Sequence, residues 1–140
     1  MDGDLQNNPK DIHRLLEVYN NKKFDLIGGL RLKRKDSFIK IISSKIANKF
    51  RSYILNDGCI DTGCSLKVFK KNHFLKLPYF DGIHRFLPAL FRGFGYNTHF
   101  IPVDHRHRAS GISKYGTFLR LFKGIRDLIK VKLIINRYKK

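Results

Sequence analysis

Tryptophan is absent from this 140-residue chain, methionine occurs once, cysteine twice and proline four times, and only 11 side chains are acidic. Long apolar runs are missing as well. None approaches the roughly 18 residues that a membrane-spanning helix needs, so a transmembrane segment is excluded. The opening MDGDLQNNPKD is polar and acidic, so neither a signal peptide nor a transit peptide is expected. Cys59 and Cys64 then read as reduced thiols in a cytoplasmic protein that is not secreted. Their C-x4-C spacing matches neither a redox motif nor half of a zinc site, and buried or idle thiols are expected. With no internal repeat and no low-complexity linker, the length suits one domain of ordinary size or part of a larger one. Hydrophobic residues at 42% and charged residues at 29% fit a globular protein rather than a disordered or fibrous one.

Positive charge is what the chain has most of. Lys and Arg number 29, for a formal net charge of +18, which points to a partner rich in phosphate: nucleic acid, anionic lipid or a phosphorylated small molecule. The excess is uneven. Up to Leu30 five acids slightly outnumber four bases; the surplus begins with Arg31-Leu-Lys-Arg-Lys, runs through Arg51, and returns after Arg106.

Local pattern predicts alternating helices and strands. Asn8-Pro9 reads as a helix cap followed by proline at the first helical position, and Ile12, Leu15, Leu16 and Tyr19 carry that helix to about Asn20. Phe24–Gly28 reads as a strand stopped by Gly28-Gly29. Ser37–Leu55 is an amphipathic basic helix with Ile39, Ile42, Ile46, Phe50 and Tyr53 on one stripe, a stripe that reads most simply as core. Ser65–Phe69 and Thr98–Val103 read as strands, Gly82–Arg92 as a helix despite Pro88, residues 106–116 as a loop, and 117–138 as one long basic helix. The alternation points to an α/β layer.

Three constellations carry chemistry. Asp2 and Asp4, two apart on an extended segment, point the same way and suit one hard divalent cation, with Gln6 on the same side; two solvated aspartates are the plainer reading. Arg106, Arg108 and Lys114 surround Gly111 and two serines in the loop after residue 104, chemistry that grips phosphate, although a basic loop is often only solvated surface. His105 and His107 read as strand-end histidines rather than metal ligands. Asp61, in a polar turn entering a strand, lies where α/β proteins place ligands, or simply caps the turn.

Taken in order, MDGDLQNNPKDI, IGGLR, DTGCSLKVFKK, IHRFLPAL and HRHRASGISKYG resemble the inverting family 2 glycosyltransferases of the dolichyl-phosphate mannose synthase and bacterial polyprenyl-phosphate type. The resemblance covers Asp2 to about Lys132. It implies a GT-A, Rossmann-like fold that binds a nucleotide sugar through Mg2+ or Mn2+. Asp2, Asp4 and Gln6 match the family's metal-binding D-x-D-x-Q segment. Arg31 matches its arginine after the next strand, and Arg108, Ser113 and Lys114 match its R-x-x-G-x-S-K loop; these four are expected on donor or acceptor phosphates. Asp61 matches an aspartate near the transferred sugar, the expected catalytic residue, and His84 and Arg85 line the pocket.

Relatives of this kind begin with an N-terminal nucleotide-binding half that has no counterpart here, so residues 1–116 are expected to form the C-terminal portion of an incomplete GT-A domain. Residues 117–140 are expected to form a basic amphipathic helix on an anionic membrane surface. The implied activity is transfer of a mannose- or glucose-type sugar from a nucleoside diphosphate to a polyprenyl or dolichyl phosphate, on the cytoplasmic face of a membrane. A partner chain supplying the missing half is a further implication. Two other classes compete. An inactive, truncated remnant is consistent with the same motifs. A nucleic-acid-binding module suits the charge, but the aromatics form no stacking platform and no nucleic acid is expected.

Overall fold

The computed structural model of the protein describes residues 7–21, 23–31, 38–104 and 117–138. Asn8 opens the first helix as the sequence predicts: its Oδ1 accepts the Lys10 N–H at 3.2 Å, and α1 runs Lys10–Asn21. Ile12, Leu15, Val18 and Tyr19 face the sheet, with Leu15 fully buried, as a 3.6-residue period requires.

The first strand, β1, spans Leu26–Arg31, which corrects the expectation of a strand ending at Gly28-Gly29. The chain passes through both glycines because its neighbours crowd them. A Cβ on Gly28 would lie 2.9 Å from the Phe100 ring, and one on Gly29 would lie 2.8 Å from Val103 Cγ2 and 2.9 Å from Cys64 Sγ. Glycine here permits close approach rather than a turn. The other strands are β2, Lys67–Phe69, and β3, Thr98–Val103. They flank β1 in the order β2-β1-β3. β1 runs antiparallel to β2, with Gly28 opposite Lys67, and parallel to β3, with Arg31 opposite Val103.

Successive β1 residues point to opposite faces. Leu26 joins a core with Leu90 and Phe91, while Ile27 joins a second one with Leu15, Leu66 and Ile101. One face is therefore covered by α1. The other is covered by α4, Leu87–Gly93, and by α5, Thr117–Tyr138, whose Leu128, Val131 and Ile135 are buried there. The mixed α/β layering expected from the sequence is present.

The expected helix over 82–92 is broken. A 3-10 turn at Ile83–Arg85 is followed by Phe86 and then by α4. Pro88 explains the restart: it lacks an N–H and is tolerated only in a helix's first turn, where that donor has no partner anyway. A single helical turn, α3 at Lys71–Phe74, follows β2 and was not legible from periodicity.

The helix α2, Phe38–Leu55, has the expected bounds but sits opposite to the core reading of its stripe. Ile42, Ile46, Phe50 and Tyr53 are exposed, Ile46 by 66% and Tyr53 by 86%. Its inward face carries Ser44, Asn48 and Arg51, with Leu55 buried at its end. Arg51 is only 8% exposed, so this helix docks largely through polar bonds.

Candidate active site

The parallel pair β1 and β3 ends at one edge of the sheet, at Arg31 and Val103, the edge where α/β proteins bind ligands. Separate segments are tied to that edge. Asp104, just after β3, donates its N–H to Asp11 Oδ2 at 2.8 Å and accepts from Asn8 Nδ2 at 3.2 Å. Asn7 Nδ2 donates to Ser65 Oγ at 2.9 Å. Asp2, Asp4, Gln6, Arg108, Ser113 and Lys114 lie outside the described residues, as do His105, Arg106 and His107. Their described chain neighbours, Asn7 and Asp104, both stand at this edge.

Arg31 and Asp61, read separately from the sequence, are bonded to each other. Arg31 Nε donates to Asp61 Oδ2 at 2.6 Å and Nη2 to Oδ1 at 2.7 Å, with the backbone N–H at 3.4 Å from Oδ2. This bidentate pair is 12% and 7% exposed, so its mutual attraction is little screened by water. Gly63 makes room for it: a Cβ there would lie 2.6 Å from Arg31 Nη2.

The turn that carries Asp61 is pinned from beneath. Asn56 and Gly58 have φ of +51° and +64°, the left-handed region that glycine and asparagine tolerate best. Between them Asp57, fully buried, pairs with Arg51 Nη1 and accepts the Cys59 N–H at 3.0 Å. Arg51 Nη2 donates to the Cys59 carbonyl at 2.5 Å, and Thr62 Oγ1 to Asn48 Oδ1 at 2.8 Å. The polar inner face of α2 thus holds the 57–62 turn. Both thiols are free and buried; burial pushes the Cys59 pKa up to about 11 and raises that of Cys64, so neither is a poised nucleophile.

Beside the Arg31–Asp61 pair lies a cavity of about 430 Å3, lined by Thr62, Gly63, Cys64, Ser65 and Lys67 on one side and by Ile83, His84, Arg85 and Leu87 on the other. His84 and Arg85 reach this cavity from a 3-10 turn rather than from a continuous helix. Among the described residues no cluster of three or more His, Cys, Asp or Glu side chains could hold a metal.

No family model matches the chain. Characterised proteins do. It is 37% identical over 142 residues to the dodecaprenyl-phosphate galacturonate synthase of Rhizobium johnstonii, a match covering 99% of this chain and 41% of that protein. It is 31% and 33% identical over 129 residues to the undecaprenyl-phosphate 4-deoxy-4-formamido-L-arabinose transferases of Edwardsiella ictaluri and Pectobacterium carotovorum, matches covering 92% of this chain and 39% of each relative. Its homologues are family 2 polyprenyl-phosphate glycosyltransferases. The chain spans about two fifths of the length of these GT-A enzymes.

The site also holds residues to which motif reading gave no role. Asp57 and Arg51 position the turn that bears Asp61, and the only sequence trace of this is Asn56-Asp57-Gly58, a turn signal with a charge at its centre. Lys67 is the second. It opens β2 between apolar Leu66 and Val68, and a lysine there is the signal that one wall of the pocket is charged. Gly63 is the third, and nothing local distinguishes it from an ordinary turn glycine.

Proposed function

We propose that the chain forms the acceptor-side part of the active site of an inverting glycosyltransferase that moves a sugar from a nucleoside diphosphate to a polyprenyl phosphate. One observation carries this reading: Asn7, Arg31, Asp61 and Asp104 converge on the carboxyl ends of β1 and β3. That convergence supports reading Arg31, Asp61 and the segments that continue from Asn7 and Asp104 as parts of one site. The polyprenyl phosphates named for the relatives supply the acceptor class. The mannose- or glucose-type sugar expected from the resemblance stands beside the galacturonate and 4-deoxy-4-formamido-L-arabinose that those names carry.

A phosphate monoester has a second pKa of about 6, so near pH 7 the acceptor is largely dianionic and needs no strong base. The work left to the protein is orientation. Asp61 fixes the plane of the Arg31 guanidinium, which holds a positive charge at the carboxyl end of β1 where a phosphate can meet it. A divalent ion, Mg2+ or Mn2+, held by Asp2, Asp4 and Gln6 would supply Lewis-acid stabilisation of the leaving diphosphate. In-line displacement by the acceptor oxygen inverts the anomeric carbon.

The test is transfer of labelled sugar from nucleoside diphosphates to undecaprenyl phosphate. The protein is assayed alone and co-expressed with the part of the Rhizobium relative that lies outside the matched stretch. Lipid-linked product that disappears with a chelator and with Asp4→Ala is the expected result. No product in either setting overturns the enzymatic reading and favours an inactive remnant.

An anionic membrane surface, on the cytoplasmic face, is the partner we assign to the exposed apolar stripes. On α2 the stripe is Ile42, Ile46, Phe50 and Tyr53; on α5 it is Phe122, Ile125, Ile129 and Leu133. The two helices pack against each other, and Lys45, Lys49, Lys123, Arg126 and Lys130 are interleaved with the stripes. Among the described residues no helix is long and apolar enough to cross a membrane. Apolar faces flanked by lysine and arginine instead suit the headgroup region, where each cation adds about 1 kcal/mol near anionic lipid. Sedimentation with anionic but not neutral vesicles at low salt is expected, and Ile46→Asp with Phe50→Asp should weaken it about tenfold or more. Equal binding to both vesicle types removes the assignment.

A further inference from the structure

We infer that Lys67 is an anion-binding residue of the pocket, its ammonium group holding a phosphate oxygen of the substrate. This rests on the glycosyltransferase reading above and adds to it a role for a residue that lies within DTGCSLKVFKK but was given none by the resemblance. Lys67 leaves the antiparallel edge opposite Gly28, a residue with no side chain to crowd it, and its side chain lines the 430 Å3 cavity with Thr62, Ser65, His84 and Arg85.

The charge balance carries the inference. Asp61 is the carboxylate whose charge acts on Lys67, and both of its oxygens are engaged by Arg31. Among the described residues no carboxylate lies within ion-pair distance of Lys67. Its Nζ donates to the Cys64 carbonyl, and an ammonium has three donors, so among the described residues two are left for a ligand in the cavity that Lys67 lines. The group is partly buried, and that desolvation lowers its pKa from the ordinary lysine value, opposed by the nearby thiols and Asp61. Holding a cation in a half-dry pocket without a counter-ion costs free energy, and a bound anion relieves that cost. Arg85, which also lines the cavity, adds a second positive charge. A phosphate could come from the donor diphosphate or from the lipid acceptor, and both present the same oxygens.

The experiment measures binding of two probes, undecaprenyl phosphate in detergent micelles and uridine diphosphate, to the wild-type protein, Lys67→Met and Lys67→Arg. Undecaprenol, which lacks the phosphate, is the control. Lys67→Met is expected to weaken one phosphate probe about tenfold or more, the loss typical of a charged hydrogen bond, while Lys67→Arg keeps most of the affinity and undecaprenol binding is unchanged. Whichever probe weakens identifies the phosphate. A second measurement needs no variant: each probe is tested for protection of Lys67 from amine acetylation in the wild-type protein, read by mass spectrometry. Unchanged affinity in a folded Lys67→Met protein, or acetylation of Lys67 undiminished by a bound probe, overturns the inference and leaves the glycosyltransferase reading standing. Wild-type protein that binds neither probe overturns both.

Discussion

Asp57→Ala is expected to cost about 3–5 kcal/mol of folding stability, the range for removing one partner of a buried ion pair. The carboxylate is fully buried and holds both the Arg51 guanidinium and the Cys59 N–H. Without it Arg51, 10% exposed at its side chain, keeps its charge in a poorly hydrated site. Its Nε already lacks a hydrogen-bond partner among the described residues, so little nearby can compensate. The turn 57–62 also loses the bond from the Cys59 N–H that spans left-handed Gly58. Asp57→Asn should cost less, because an amide oxygen can still accept the Cys59 N–H while the charge pairing is lost. Urea unfolding with a fixed m-value checks the order wild type, Asn, Ala. A loss below about 1 kcal/mol for Asp57→Ala would show that the pair is hydrated and not what holds the turn.

The second large effect is expected at the Arg31–Asp61 pair, and here stability and activity should part company. Arg31→Met takes the guanidinium from a carboxylate that is 7% exposed, and a loss of about 3 kcal/mol or more is expected. Arg31→Lys keeps a charge but not the fork that meets both Asp61 oxygens, so it restores part of the stability and little of the geometry. In an enzyme competent for transfer, Arg31→Lys should lower turnover about 100-fold or more, the scale for removing one preorganised donor from a developing charge. Gly63→Ala is the independent check. Its Cβ would stand 2.6 Å from Arg31 Nη2, displacing the guanidinium without altering any charge, and it should share the turnover defect. A double-mutant cycle between positions 31 and 61 should show coupling of about 1–3 kcal/mol. Turnover unaffected by both Arg31→Lys and Gly63→Ala would mean the pair is purely structural.

Features whose cause is local were open to reading from the sequence by itself. The cap at Asn8, the periodicity of α1, the bounds of α2 and α5 and the alternation of β3 depend on residues a few positions apart, and each is where the pattern put it. The ordered motifs also sufficed to point to the polyprenyl-phosphate glycosyltransferases that the relatives represent. What tertiary structure decided is everything in which a residue's meaning depends on a distant neighbour. Gly28-Gly29 reads as a breaker until Phe100, Val103 and Cys64 are packed against it. Pro88 interrupts its helix where Phe86 turns into the core. The α2 stripe looks like core by period alone, yet Arg51 is drawn inward by Asp57, and rotating the helix to satisfy that pair puts Ile46 and Tyr53 outside. Arg31 and Asp61, 30 residues apart, become one unit through the register of β1 against the segment leading into β2. A local pattern encodes propensity and amphipathicity, whereas charge pairing and close packing are three-dimensional and override both when a buried group has no other way to be satisfied.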